Sequence, residues 1–209
     1  MSENYINIIA NERIYPIIRC KDKQETIEIA NALVEGGIKV LEINVENPSI
    51  YEAIQEVSKI TTVCAGGIIT STQADYAFKC GAKLFASPLF HMNLVRISKN
   101  LRIPFIAGTT TANEAYSAWK SRIPLIKIFP AEAMGGASYI ENILRQMPFL
   151  NLMPMGNIKL ADVVSYLNAG AVAVGVGRDF YQGFTSKEIT NRTKEILNEV
   201  RDFSEWNKK

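Results

Sequence analysis

The sequence is poor in the residues that form disulfides and metal sites. Its 209 residues include three cysteines, Cys20, Cys64 and Cys80, and one histidine, His91. An odd number of cysteines without CxxC spacing predicts neither a disulfide framework nor a zinc site. His91 has no cysteine or acidic cluster at ligand spacing around it. We therefore expect no bound metal.

Long apolar runs and an excess of one charge are also missing. No run approaches the roughly 18 apolar residues of a membrane span, and the first residues lack the basic-then-apolar order of a signal peptide. The 23 basic and 21 acidic residues give a net charge of +2, and the basic residues form no stripe of the kind that nucleic-acid-binding proteins carry. We expect a cytoplasmic protein that binds neither membranes nor nucleic acids.

The chain does contain enough apolar material for one large core. Hydrophobic residues make up 47% of it and charged residues 21%, which excludes disordered, collagen-like and coiled-coil proteins. Barrels of the α/β class commonly exceed 200 residues as one domain. Because no linker or low-complexity tract divides the chain, we expect residues 1–209 to form a single domain.

Short β-branched runs alternate with longer segments of helical periodicity along the chain. The predicted strands are Ile14–Ile18, Val40–Val45, Thr62–Ala65, Leu84–Ala86, Phe105–Ala107, Leu125–Phe129, Leu152–Pro154 and Ala171–Val176. The predicted helices lie near Gln24–Glu35, Ile50–Lys59, Thr72–Cys80, Asn93–Asn100, Asn113–Ser121, Ser138–Gln146 and Leu160–Ala169, with a last one from about Lys187.

Eight strands, each followed by a helix, predict a (β/α)8 TIM barrel at this chain length. Residues 2–12 predict an extra helix before the first strand, placed to close the bottom of the barrel. The alternative is a doubly wound open sheet, which usually has fewer strands in a chain of this size.

Two predicted strands carry charges where a parallel barrel requires apolar residues. In the second strand Glu42, Asn44 and Glu46 share one face, and Lys127 lies in the middle of the sixth strand. The two strands lie on opposite sides of a narrow barrel, so Glu42 and Lys127 can meet. A structural ion pair is one interpretation. The other is a Schiff-base lysine. Burial favours the neutral amine, which can attack a ketone, and the glutamate then moves protons.

Candidate anion contacts lie at the ends of three strands. Arg19 ends the first strand and suits a carboxylate or phosphate, although pairing with Glu46 is an equally good explanation. The loops after the last two strands contain Gly156-Asn157 and Gly177-Arg178. Barrels often bind phosphate in these loops through backbone N–H groups, and glycine permits the close approach.

These residues resemble a known family over nearly the whole chain, the bacterial 2-keto-3-deoxy-6-phosphogluconate and 4-hydroxy-2-oxoglutarate aldolases. The matching stretches are Ala32–Ile38, Leu41-Glu42, Ala65-Gly66, Ser87-Pro88 and Lys127–Glu132. The last stretch is the most specific and is similar to the family's Schiff-base motif. The resemblance implies a class I lyase without metal or other cofactor, acting on a small 2-keto acid, and a homotrimer.

The resemblance also implies a role for each matching residue. Lys127 would form an imine with C2 of the 2-keto acid, and Glu42 would move protons as the C3–C4 bond breaks to give pyruvate and an aldehyde. Gly66, Gly67, Pro88 and Phe129 would contribute to substrate binding, together with the two glycine loops.

Four positions depart from the family pattern. Glu46 stands where an arginine is usual, Gly67 where threonine is usual, Asn157 where glycine is usual, and Arg178 where serine is common. Features such as Asn47-Pro48 are closer to the galactonate-pathway branch. We therefore expect the reaction type to be retained, leave open whether the substrate is phosphorylated, and take Arg19 and Arg178 as anion contacts.

Two rival functions remain at this stage. A sugar-phosphate isomerase or epimerase on the same barrel would use lysine and carboxylate without forming an imine. A binding barrel that has lost activity is favoured by Gly67 and Glu46, and is opposed by the retention of Glu42 and Lys127, because unused buried charges are costly.

Overall fold

The computed structural model describes residues 2–206. Its strands are β1 (Ile14–Ile18), β2 (Val40–Asn44), β3 (Thr62–Gly66), β4 (Leu84–Ala86), β5 (Phe105–Thr109), β6 (Leu125–Ile128), β7 (Leu152–Pro154) and β8 (Val174–Val176). Its α-helices are α1 (Ser2–Glu12), α2 (Lys23–Glu35), α3 (Ile50–Val57), α4 (Ser71–Lys79), α5 (Met92–Leu101), α6 (Ala112–Lys120), α7 (Gly136–Gln146), α8 (Val163–Asn168) and α9 (Ser186–Trp206). Three short 3-10 turns cover Glu132–Met134, Leu160–Asp162 and Arg178–Phe180.

The strands pair in parallel and in chain order from β1 to β7. β8 then pairs with β1, with Ile14 opposite Val174. A single bridge between Met155 and Gly175 joins the edge beyond β7 to β8 and closes the ring. The predicted (β/α)8 barrel with an extra helix is therefore confirmed. The open-sheet alternative is wrong, because its first and last strands would not pair.

The strands are buried on both faces, as a parallel barrel requires. One side packs against the surrounding helices. The other fills the barrel with a second apolar cluster to which most of the strands contribute. Its buried members are Ile9, Tyr15, Val40, Cys64, Leu84, Ala86, Ile106, Leu125, Met153, Met155 and Ala173.

Helix α1 covers the end of the barrel at which the strands begin. Ile9 is fully buried in the inner cluster. Glu12, at the end of the helix, accepts a hydrogen bond from the backbone N–H of Lys39 through Oε1 (2.9 Å). Burial raises the pKa of this carboxyl from 4.5 to about 7. The predicted closure of the barrel bottom is confirmed.

Some predicted boundaries are wrong. β8 begins at Val174 and not at Ala171, because the preceding residues make single bonds to the barrel wall, such as Val172 N–H to the Leu152 carbonyl (2.9 Å). The predicted helix at Leu160–Ala169 divides into a 3-10 turn and the shorter α8. Within residues 2–206, none of the helices has the length and apolar character to cross a bilayer.

Candidate active site

Lys127 and Glu42 meet inside the barrel. Lys127 is on β6 and Glu42 on β2, and the distance from Lys127 Nζ to Glu42 Oε1 is 3.5 Å. The side chains are 8% and 0% exposed, respectively. The expected contact across the barrel is thus confirmed. Taking two charges out of water costs several kcal/mol per ion, roughly, so each charge needs more than one partner.

Asn44 supplies a further partner to Glu42. It is on β2, two residues after Glu42, and is 4% exposed. Its amide lies between a carboxylate and a guanidinium, so hydrogen-bond chemistry places the nitrogen toward Glu42 and the oxygen toward Arg19. In that orientation the nitrogen donates to Glu42 Oε1 (2.9 Å), and the oxygen accepts from Arg19 Nε (2.9 Å) and Nη2 (2.8 Å).

Arg19 also contacts Glu46, through the same Nε atom. Arg19 Nε lies 3.3 Å from Glu46 Oε1, and these side chains are 50% and 30% exposed. Both interpretations of Arg19 therefore have support, because it pairs with Glu46 and also lines the cavity described below. The acidic charge at position 46 is offset within the site.

Gly66 leaves the space that the pair on β2 occupies. It ends β3, opposite Asn44 in the register. A Cβ atom at this position would collide with the amide of Asn44 and with the side chain of Glu42, whose carboxylate Oε1 and methylene Cγ (2.7 Å) both lie too close. A residue without a side chain is therefore required here for steric reasons and not for backbone conformation.

Tyr15 and Cys64 lie beside Glu42 in the barrel interior, and both are fully buried. Burial raises the pKa of each group well above its ordinary value, and the negative charge of Glu42 adds to the effect. Both groups are consequently neutral near pH 7. Tyr15 faces both Cys64 and Glu42, and among the described residues no donor meets full hydrogen-bond geometry at Glu42 Oε2.

A cavity of about 570 Å³ opens above Lys127 and Glu42 at the carboxyl ends of the strands. The predicted binding residues Arg19, Phe129, Gly156, Asn157, Gly177 and Arg178 all line it. Lys127 Nζ lies 5.6 Å from the centre of the Phe129 ring. Ile17, Asn44, Met155, Ile158, Lys159, Asp179, Gln182 and Phe184 complete the lining.

Three predicted binding residues lie outside this lining. Gly66 is behind Glu42 and Asn44. Gly67 follows with a left-handed φ of +72° and turns the chain out of β3. Pro88 is exposed after β4, where its backbone lies against Gly108 of β5. Of these three residues, only Gly66 contacts the proposed reacting groups, through the space that it leaves for Glu42 and Asn44.

The outer end of the cavity contains a backbone N–H group that is bonded to a carboxylate, and two basic side chains. The backbone N–H of Leu160 donates to Asp179 Oδ2 (2.9 Å), and Arg192 Nη2 donates to the Asp179 carbonyl (2.8 Å). No acidic side chain in the described part of the chain forms an ion pair with Lys159 or Arg178, and both are exposed. Two cations thus face this end without an acidic partner.

Sequence reasoning missed the functional surroundings of the pair. Asn44 shares a face with Glu42, which was the one available signal. Lys159, Asp179 and Arg192 gave none, because their placement depends on contacts between separate loops and α9. Nowhere among the described side chains do three His, Cys, Asp or Glu residues gather to hold a metal ion.

Comparison with known proteins gives sequence matches over most of the chain. A family model described as KDPG and KHG aldolase matches residues 5–198. A 2-dehydro-3-deoxy-phosphogluconate aldolase of Treponema pallidum is 29% identical over 159 residues, covering 74% of this chain and 75% of that protein. A 2-dehydro-3-deoxy-6-phosphogalactonate aldolase of Escherichia coli is 25% identical over 179 residues, covering 83% and 87%.

A solved structure is similar over the whole barrel. It is a KDPG aldolase from Legionella pneumophila with pyruvate captured at low pH as a covalent carbinolamine intermediate. The TM-score is 0.82 at 25% sequence identity, and the match covers 90% of this chain and 96% of that one. The family match includes both strands that carry Glu42 and Lys127.

Proposed function

The chain belongs to the KDPG and KHG aldolase family, and from that premise we propose that Lys127 is its Schiff-base lysine and Glu42 its general acid and base. Aldolases of this family are carbon–carbon lyases of class I, and pyruvate is one of the two products of the cleavage. One observation carries the assignment: a lysine and a glutamate 3.5 Å apart, both buried, lie at the floor of the cavity.

The reaction starts at Lys127. Its ammonium gives a proton to solvent in the cavity, and the resulting amine attacks C2 of the 2-keto acid. The carbinolamine formed takes a proton back and loses water to give an iminium ion. The hydroxyl proton at C4 passes to Glu42, directly or through a water, as the C3–C4 bond breaks and the aldehyde leaves. The electron pair of that bond forms an enamine, the iminium nitrogen being the sink. Protonation at C3 and hydrolysis release pyruvate and the free lysine.

The surroundings of Glu42 suit a group that takes up and returns a proton. Oε1 faces the Lys127 ammonium and the Asn44 amide, whereas Oε2 has no partner among the described residues. The carboxylate is therefore fixed through Oε1, and Oε2 keeps an unfilled acceptor position beside Tyr15. A positioned acid–base group contributes typically 10²–10⁴-fold to rate.

The cavity suits a substrate with an anionic group at each end. Arg19 is near Glu42 and binds the carboxylate next to the keto carbon. Arg178 and Lys159, with the backbone of Gly156, Asn157 and Gly177, bind the other end. We propose a 2-keto-3-deoxy sugar acid, phosphorylated or not, or 4-hydroxy-2-oxoglutarate. Because Arg19 offsets Glu46, that glutamate does not prevent anion binding.

Reduction with sodium borohydride in the presence of pyruvate tests the assignment. We expect a reduced pyruvyl adduct on Lys127, found by intact mass and peptide mapping, and none in Lys127→Ala. Lys79→Ala, which removes an exposed lysine, should give the adduct at the rate of the unchanged protein. An isomerase or a binding barrel would give no adduct between about pH 6 and pH 9, and that result would exclude the aldolase mechanism.

We also propose a homotrimer in the cytoplasm. Support comes from three exposed aromatic side chains that pack in a row, Tyr116, Trp119 and Phe149, with successive ring centres 5.9 and 4.5 Å apart. Exposed aromatic clusters favour contact with another protein surface. Light scattering should give three times the chain mass of 23.3 kDa.

A further inference from the structure

Asn44 is a buried amide in a strand that is otherwise apolar or catalytic. An amide moved into a barrel interior without hydrogen bonds costs a few kcal/mol, roughly. Asn44 avoids that cost through two specific neighbours, the Glu42 carboxylate at 2.9 Å and the Arg19 guanidinium at 2.9 and 2.8 Å. Its hydrogen bonds are therefore directed at the proposed acid–base group.

The orientation of Asn44 is fixed from outside the barrel. Two N–H groups of Arg19 hold the amide oxygen, so the amide nitrogen can only point at Glu42. Glu46 in turn contacts Arg19 Nε at 3.3 Å and restrains the guanidinium. A continuous chain of polar contacts runs from Glu46 at the rim to Lys127 in the interior.

We propose that Asn44 is a positioning residue that holds Glu42 in place for the proton-transfer steps. The proposal rests on the aldolase function argued above. A donated hydrogen bond favours the charged form of a carboxylate. Arg19 strengthens this donor by binding the same amide, because chains of hydrogen bonds polarise one another.

The hydrogen bonds of Asn44 go to Glu42 and Arg19 and not to Lys127. Its removal should therefore affect proton transfer more than imine formation. Pyruvate alone separates these steps. The iminium ion on Lys127 loses one C3 proton to Glu42 and becomes an enamine, the C–H electron pair forming the new C=C bond. Return of a deuteron from heavy water then labels the pyruvate methyl group.

The experiment compares deuterium exchange into pyruvate, followed by NMR, with the rate of borohydride trapping. In Asn44→Leu, which keeps similar volume but has no donor, we expect exchange to fall by about tenfold to hundredfold. Trapping should stay within about threefold of the unchanged protein, since imine formation needs only the lysine and an open cavity. The acid limb of the exchange profile should move to higher pH.

The pH readout concerns Glu42 and all groups that face it. These are Lys127 on β6, Tyr15 on β1, Cys64 on β3 and Arg19 through Asn44. Tyr15 and Cys64 stay neutral near pH 7, so loss of the Asn44 donor is the change that moves the profile. A side chain that only filled space would leave the profile where it was.

Two variants of the same residue sharpen the test. Asn44→Thr keeps a hydroxyl that donates and accepts, and should recover exchange to within about tenfold of the unchanged protein. Asn44→Asp keeps the shape but puts a second carboxylate against Glu42, so exchange should fall further than in Asn44→Leu. This isosteric change also covers the case in which the leucine variant does not fold.

Thr190→Val is the matched control, because it removes one buried hydrogen bond, to the Ala32 carbonyl, far from the site. It should lower stability without changing the ratio of exchange to trapping. The positioning role is wrong if Asn44→Leu leaves that ratio within about threefold, or if the pH profile does not move. Absence of trapping in the unchanged protein would instead reject the aldolase function itself.

Discussion

The two ends of the barrel each bury a carboxylate, and they treat it differently. At the end where the strands begin, Glu12 faces the backbone N–H groups of Lys39 and Val40, and burial raises its pKa to about 7. At the other end, Glu42 has an ammonium ion and an amide. Hydrogen-bond donors around a carboxylate favour its charged form, whereas burial alone disfavours that form.

The same strands supply both environments. On β2, Val40 joins the apolar interior that α1 covers, and Glu42, two residues on and on the same face, belongs to the polar layer beneath the cavity. The apolar half stabilises the fold, which permits costly polar groups in the other half. Mutations at the two ends should therefore act on different properties.

The largest expected effect comes from breaking the apolar end. Ile9→Ala should lower the free energy of unfolding by about 2–5 kcal/mol, because it removes a fully buried side chain and leaves a cavity. Urea unfolding measures this change. Imine trapping at Lys127 should keep its rate while the protein is folded.

Ile60→Ala, at an exposed position, is the control for the apolar end and should change stability by less than about 0.5 kcal/mol. A parallel loss of trapping in Ile9→Ala would show that the two ends are not independent.

The next effect is at the polar end. Gly66→Ala should slow deuterium exchange into pyruvate by about a hundredfold, because the new methyl group displaces Glu42 and Asn44. Gly36→Ala also adds a methyl group in collision, with the Thr193 side chain between α2 and α9. Gly36→Ala should lower the free energy of unfolding by roughly 1–3 kcal/mol without slowing deuterium exchange. Equal exchange rates in the two variants would contradict this account of Gly66.

The smallest effect concerns Glu12. Its pKa is about 7 in the folded protein against an ordinary 4.5, so between these values the folded state binds more protons than the unfolded chain. Its contribution to stability is therefore fully present below about pH 4.5 and is lost as the pH rises to about 7, on the order of 2 kcal/mol. In Glu12→Gln, urea unfolding at about pH 5 and pH 8 should show a smaller difference. An unchanged difference would assign the pH dependence to other groups.

The fold was predictable because the apolar runs, the turn residues between them and the alternation of strands with helices all indicated the same barrel. β1, β4 and β7 have the predicted bounds, since each is a short apolar run flanked by turns. The Glu42–Lys127 contact also followed from the sequence, because two charges in buried strands require partners. Lys127 and Glu42 as reacting groups rest on the family resemblance as well.

The remaining site residues depended on distances that no local pattern contains. The amide of Asn44 is oriented by Arg19, which follows the neighbouring strand and donates two hydrogen bonds to the amide oxygen. Asp179 meets the Leu160 N–H only because two loops end side by side. Gly67 and Pro88 match family motifs in sequence, yet neither is among the residues that line the cavity.

The pairing of β8 with β1 sets the order in which the molecule can be completed during synthesis. β1 is synthesised early, but its partner β8 is synthesised about 160 residues later, since Ile14 pairs with Val174. Lys127 and Glu42 are both made before that partner. A nascent chain therefore carries its reacting groups before it has the wall that closes around them, and the Gly177–Arg178 end of the cavity is added last.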